Sequence, residues 1–379
     1  MLGIGCFSGE ATLGALCLED DDCGADQTCG TGVCGYCGDG VAQPGEVCLD
    51  ADDPIEVAGM PVRMRPQDLD RDGTLDLVAH VPGATDLTVL RGSGRGFGSP
   101  ETVALPFAAD HLAVGDLDGD DTVDALVANA EGIHFGAGSG VLAFSFGSEV
   151  ITWMGTTGLE FASATETSAA FGVATRPGDA EQTEVAAIEI GPGGQVQLGA
   201  SITLPGTVRP VAVGEVANAG APEVAFAVGP TVALRSGADL EPLAEIVLDA
   251  DVVAVSLVDV DVDGNRDVLA SDTAGAVVVF AGDGIGGFTR DIGFELDTPA
   301  TALVVGDINR DGRRDVAVAT AEGIELALAR GARFPETIAV PGPDAAADLL
   351  ITDLGGDLLV DLIASSSAVG QVVRVGVAP

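Results

Sequence analysis

The chain has 379 residues and a formal charge of −43 at pH 7, from 59 acidic residues against 16 basic ones, all arginine. A field of that sign disfavours nucleic acid and anionic lipid headgroups as partners. Hydrophobic residues reach 47%, but 54 Gly and 19 Pro cut them into short runs. None is of membrane-spanning length, and the pattern is one of many short strands, not long helices.

All seven cysteines lie in the first 50 residues. The opening MLGIGC resembles the end of a bacterial lipoprotein signal. That likeness makes Cys6 the expected lipid-bearing residue and residues 1–16 the remnant of a signal or anchor with its linker. The alternative leaves Cys6 a single unpaired thiol. Cys17, Cys23, Cys29, Cys34, Cys37 and Cys48 are dense and are followed by a long cysteine-free stretch. They predict a small disulfide module over 17–50 and an oxidising compartment, without fixing the connectivity. Zinc is the rival reading, from Cys34-x-x-Cys37, but no second pair or nearby His completes four ligands. The segment CGDGVAQPGEVCLD is similar to C-G-D-G-x-x-x-P-G-E-x-C segments of secreted bacterial cysteine-rich repeats. The expected location is therefore secreted, or the bacterial outer surface as a lipoprotein.

Residues 54–379 repeat. DLDRDGTLD carries Asp68, Asp70, Asp72, Gly73, Thr74 and Asp76; DVDVDGNRD carries Asp259, Asp261, Asp263, Gly264 and Asp267. DINRDGRRD carries Asp307, Asn309, Asp311, Gly312 and Asp315. DLDGDDTVD has Asp116, Asp118, Asp120 and Asp124, with Asp121 in place of the Gly. DLGGDLLVD keeps Asp353, Asp357 and Asp361, with Leu358 in that place. Two eroded copies fill the gaps. One sets Glu215, Gly220 and Glu223 at positions one, six and nine; the other starts near Arg176 and reaches position nine at Glu184. The long interval before Arg176 predicts an insertion within about 140–170, where the only Trp, Trp153, lies.

The flanks repeat too. Apolar runs such as LAVG and LVVG precede each loop; LDLVAH or RDVAVAT follows it. Next come a turn, LTVLRG or AVVVFAG, a Gly-rich turn and ETVALP or ETIAVP. Four strands per unit of roughly 47 residues predict an all-β seven-bladed β-propeller, since a lone blade leaves both faces bare. The seventh unit runs out after three strands, and IEVAG at Ile55–Gly59 stands ready to complete it.

Alternating carboxylates on a tight loop supply the oxygens that Ca2+ prefers, with position seven giving a carbonyl (Thr74 in the first loop) and Gly at six allowing the turn. A helix-flanked EF-hand loop shares D-x-D-x-D-G but needs an acid at position twelve. Ala79, Ala270 and Val318 stand there. The units resemble the FG-GAP (or VCBS) repeats of integrin-α-type propellers. That likeness implies calcium at the matching loops and ligand contacts on other surface loops. It is strongest in units one, five and six, weaker in two and seven, and absent as a metal pattern in three and four.

For catalysis the inventory is thin. His80, His111 and His134 are scattered, no G-x-S-x-G occurs, and Gly282–Gly287 (GDGIGG) leads into a strand-like run. The expectation is a non-enzymatic binding, adhesion or scaffold module for a protein or glycan. The alternative is a hydrolase or lyase acting on polysaccharide or lipid.

Overall fold

A four-stranded antiparallel sheet with apolar side chains on both faces is stable only when each face is covered. The computed structural model solves this with seven sheets stacked around a closed ring, an all-β seven-bladed propeller. The described residues are 28–29, 34–35 and 49–377, except 58, 61–62, 94–95, 148–150, 163–169, 180, 218–221, 238, 330–333, 335–336, 341, 344, 355–359 and 367. Among them no helix is long and apolar enough to cross a membrane.

The innermost strands are Arg63–Gln67, His111–Gly115, Gly158–Ala162, Val208–Gly214, Val252–Val258, Ala300–Gly306 and Ala346–Thr352. Each touches the next, and the last touches the first. Second strands such as Asp124–Ala128 and Asp315–Thr320 are buried at every residue, because a neighbouring blade covers each face. Outer strands alternate instead, as Phe288–Glu295 does. Seven apolar clusters fill the seven gaps between blades. The one between blades seven and one joins Met64, Leu77 and Leu90 to Leu354, Ile363 and Val372.

Blade seven is completed from the N-terminal side. Ile55–Glu56 pairs with Gln371–Val377 as the sequence leads one to expect, but so does Leu49–Ala51. Pairing thus begins before IEVAG, directly after Cys48. Of the cysteines, Cys29 and Cys34 sit opposite each other in the backbone register of a two-residue hairpin. Cys6, Cys17, Cys23, Cys37 and Cys48 lie outside the described residues.

Unit three corrects the sequence alignment. Arg176 and Glu184 do not bracket a first loop; they face each other across Ala170–Pro177 and Gln182–Gly191, the blade's second and third strands, paired at 2.6 Å. The residues between this blade's first and second strands, 163–169, lie outside the described residues, and Phe171 pairs with the end of the first strand where other blades have an acid. With that frame the second strands start at Asp76, Asp124, Ala170, Glu223, Asp267, Asp315 and Asp361, and the long interval that suggested an insertion before Arg176 disappears. Residues 140–147 instead finish blade two and 151–157 lead into blade three, with Trp153 buried in the cluster between them.

Candidate cation-binding loops

Each Asp-rich loop joins a blade's first strand to its second, so all of them lie on one face of the ring. Position nine opens the second strand and is fully buried: Asp76, Asp124, Asp267, Asp315 and Asp361. One of its oxygens accepts the N–H of position two, from Leu69 (3.1 Å), Leu117 (3.0 Å), Val260 (2.7 Å), Ile308 (3.0 Å) and Leu354 (3.1 Å). In four blades the other oxygen accepts an N–H at the end of the third strand: Gly92 (3.0 Å), Gly138 (2.8 Å), Gly282 (2.9 Å) and Ala329 (2.9 Å). Position nine therefore latches three strands together. Position two is apolar because its side chain enters the gap between blades, as Leu117 and Ile308 do.

The latch also explains a repeated glycine that the sequence presents only as a strand end. A Cβ on Gly92, Gly138 or Gly282 would stand 2.2 Å from the carbonyl oxygen of Leu75, Val123 or Arg266, the residue before the latch. In blade seven, Asp361 is ion-paired with Arg374 at 2.7 Å. In blade four, Glu223 takes the N–H of Val216 at 2.7 Å. The sequence alignment of unit four thus falls on the correct loop.

Position one folds the loop. Asp68 accepts the N–H groups of Asp72 (3.1 Å) and Gly73 (3.0 Å), and Asp259 those of Asp263 (3.1 Å) and Gly264 (3.0 Å). Two residues per loop are left-handed, not one. Gly at six is expected, with φ of 87° at Gly73 and 94° at Gly264, but position four is left-handed too: Arg71 (61°), Val262 (62°) and Arg310 (59°). In the second loop the residue types are exchanged, Gly119 at four (81°) and Asp121 at six (63°), so the backbone path survives. No local signal marks position four, since its residue type varies freely.

The carboxylates then divide. Asp68, Asp70 and Asp76 bring oxygens within 4.8 Å of one another, as do Asp116, Asp118 and Asp124, and Asp259, Asp261 and Asp263. Asp72 and Asp120 stay out of these groups because Thr74 and Thr122 hold them through N–H groups (2.8 Å each) and hydroxyls. Those hydroxyl bonds, above all, lower both carboxyl pKa values. Burial pushes Asp118 and Asp261 up, and the neighbouring carboxylates push further. The same desolvation raises Asp76 and Asp267, and lifts Asp124 to about 6 and Asp315 to about 7.

Among the described residues, Asp70 Oδ1, Asp118 Oδ1 and Asp307 Oδ1 are buried oxygens with no hydrogen-bond partner, while the other oxygen of Asp70 is ion-paired with Arg91. Such acceptors are costly unless a donor or cation meets them. The donor set, oxygen only and mainly carboxylate, suits a hard divalent ion such as Ca2+. The fit is therefore good in loops one, two and five. In loop six, Asn309 replaces a carboxylate and accepts the N–H of Asp311 (3.1 Å), while Asp311 pairs with Arg313 (3.2 Å). Asp353 is half-buried, and Asp357 and Leu358 lie outside the described residues.

The residues weighed for catalysis fall elsewhere. Gly282–Gly287 is the turn between the third and fourth strands of blade five, closed by Asp283 onto the N–H groups of Ile285 (3.0 Å) and Gly287 (2.8 Å). His134 stacks on Phe107 at 4.0 Å between centroids, and the His80 ring contacts the Ala109 carbonyl at 2.9 Å.

These loops and their ring define a class, the seven-bladed propeller with acidic inter-strand loops. Residues 259–318, from loop five into blade six, match the FG-GAP-like repeat family. No curated protein matches the chain. Among solved structures, BBS1N in complex with ARL6DN, soaked with lead, is similar at TM-score 0.60 and 13% identity, over 88% of this chain and 97% of that one. The same complex soaked with mercury gives 0.57 and 14%, over 87% and 97%. At such identity the likeness is one of fold.

Proposed function

We propose that this protein is an exported, non-enzymatic binding or scaffold module whose propeller is braced by Ca2+ in loops one, two and five. The observation that carries the reading is the pair of buried, partnerless oxygens of Asp70 and Asp118, each inside a group of three converging carboxylates. Like charges held that close repel one another unless a cation sits among them, and of these carboxylates only Asp70 has an arginine, Arg91, on its other oxygen among the described residues. Asp68, Asp70 and Asp76 would hold the first ion, Asp116, Asp118 and Asp124 the second, and Asp259, Asp261 and Asp263 the third. The ion would supply charge neutralisation and rigidity to the hairpins, leaving the remaining surface loops to hold a protein or glycan. The reading of export rests on the cysteine-rich N-terminus and the strongly acidic surface.

Thermal melts with chelator and with millimolar Ca2+ test the bracing. Each site at a hundredfold excess over its dissociation constant adds about 2.7 kcal/mol, so the melt should move up on adding the ion. Asp70→Asn with Asp118→Asn should abolish most of the rise. Superimposable melts of the native chain, with and without the ion, would rule the bracing out.

A further inference from the structure

The face opposite the acidic loops holds a cavity of about 660 Å3 at the mouth of the central channel, within the size range of small-molecule sites. Its walls are the starting residues of all seven inner strands, whereas the acidic loops follow the other ends of those strands. The wall is divided. Blades seven, one, two, three and four present Asp348, Arg63, Arg65, Asp110, Glu160 and Arg209; blades five and six present Val253, Ala254, Val255, Ala302 and Leu303.

In a chain with 16 arginines against 59 acids, three arginines meet in this one cavity, against three acids, Asp110, Glu160 and Asp348. Two of the arginines are committed. Arg63 and Arg65 both reach Glu160, the second at 3.7 Å. Asp348 is committed too, accepting the N–H groups of Met64 (2.8 Å) and Leu349 (3.0 Å). Burial lowers the pKa of His80 and His111, so both rings are neutral at pH 7 and add no charge. Arg209 differs. Its guanidinium donates to the Val252 carbonyl at 3.3 Å and forms no ion pair with a carboxylate among the described residues. It stands where the charged arc meets the apolar one, beside Val253 and Ala254.

We propose that the channel mouth binds a small monocarboxylate, its carboxylate on Arg209 and its apolar body against Val253, Ala254 and Ala302. One uncommitted cation matches one negative charge, and Arg presents a planar fork suited to a carboxylate. A bare inorganic anion would leave the apolar arc and most of the volume unfilled. A cationic ligand would find Glu160 and Asp348 already engaged, and the remaining acid, the exposed Asp110 of blade two, lies three blades from either side of the apolar arc.

Benzoate and its neutral isostere benzamide are suitable probes, titrated calorimetrically into the full chain in low salt. Benzoate should bind saturably at one site, and benzamide at least about tenfold more weakly, a difference of about 1.4 kcal/mol. Arg209→Gln, at an exposed rim position, should weaken benzoate about tenfold and leave the unliganded melt unchanged. Ala302→Phe, which fills the apolar arc, should block both probes; its melting curve reports whether the ring is intact. Equal affinity for the two probes, benzoate binding untouched by Arg209→Gln, or no saturable benzoate binding to the native chain would each overturn the proposal.

Discussion

Blades two and four carry the same joint with different accessories. In both, an acid at the start of the second strand is buried and accepts the N–H of position two, from Leu117 onto Asp124 and from Val216 onto Glu223. Blade two adds Asp116 and Asp118 around it; blade four has no such group among the described residues. The comparison separates two roles that a single motif hides. Position nine is architecture in both blades, and positions one and three are the additions that turn it into an ion site in blade two.

Removing the latch should therefore have the largest effect, and the presence of an ion should not rescue it. Asp267→Ala leaves the buried N–H groups of Val260 and Gly282 without acceptors, at about 1–3 kcal/mol each. Urea unfolding in chelator should show a loss of roughly 2–6 kcal/mol, against little change for Asp118→Asn under the same conditions. Similar losses for the two variants would collapse the distinction.

Next in size is the glycine facing the latch. Gly282→Ala drives a methyl to 2.2 Å from the Arg266 carbonyl, and crowding of this kind costs about 1–3 kcal/mol. Its midpoint in urea should fall while Gly264→Ala, in open space but left-handed at 94°, reports backbone strain alone.

The pH response sharpens the comparison further. A carboxyl whose pKa is higher in the folded chain stabilises the fold fully below its unfolded value and loses that contribution as pH rises through the folded one. For Asp124 and Asp315 the window runs from about 4 up to about 6 and about 7 respectively. In chelator, the melting temperature should drift down by roughly 2–4 °C between pH 5 and pH 8. Ca2+ should flatten the part due to Asp124, because it favours the ionised form. A flat profile in chelator would contradict the burial argument.

The smallest effect concerns Val262, a β-branched residue exposed at φ 62°. Val262→Gly should raise stability by about 0.5–1 kcal/mol, measured in urea. A loss would mean that the Val side chain makes contacts that outweigh its strained backbone.

The sequence reveals seven units, four strands apiece and an N-terminal closing strand because each is written as a recurrence: Asp at fixed offsets, apolar runs of strand length, a missing fourth strand at one end and a spare at the other. It misleads where the recurrence erodes. Arg176–Glu184 mimics an acidic loop in spacing, yet is a second-to-third-strand hairpin, because strand runs in neighbouring positions of a blade look alike once Asp no longer marks the first loop.

By itself, then, the chain determined periodicity, blade number and the placement of carboxylates on one face, since these depend on contacts between residues close in sequence. Only the tertiary structure decided which oxygens are consumed by backbone N–H groups and which stay bare. Ring closure alone placed Arg63, Arg65 and Arg209 in one cavity beside Ala302, residues that no local pattern connects, because the channel exists only once the seventh blade meets the first.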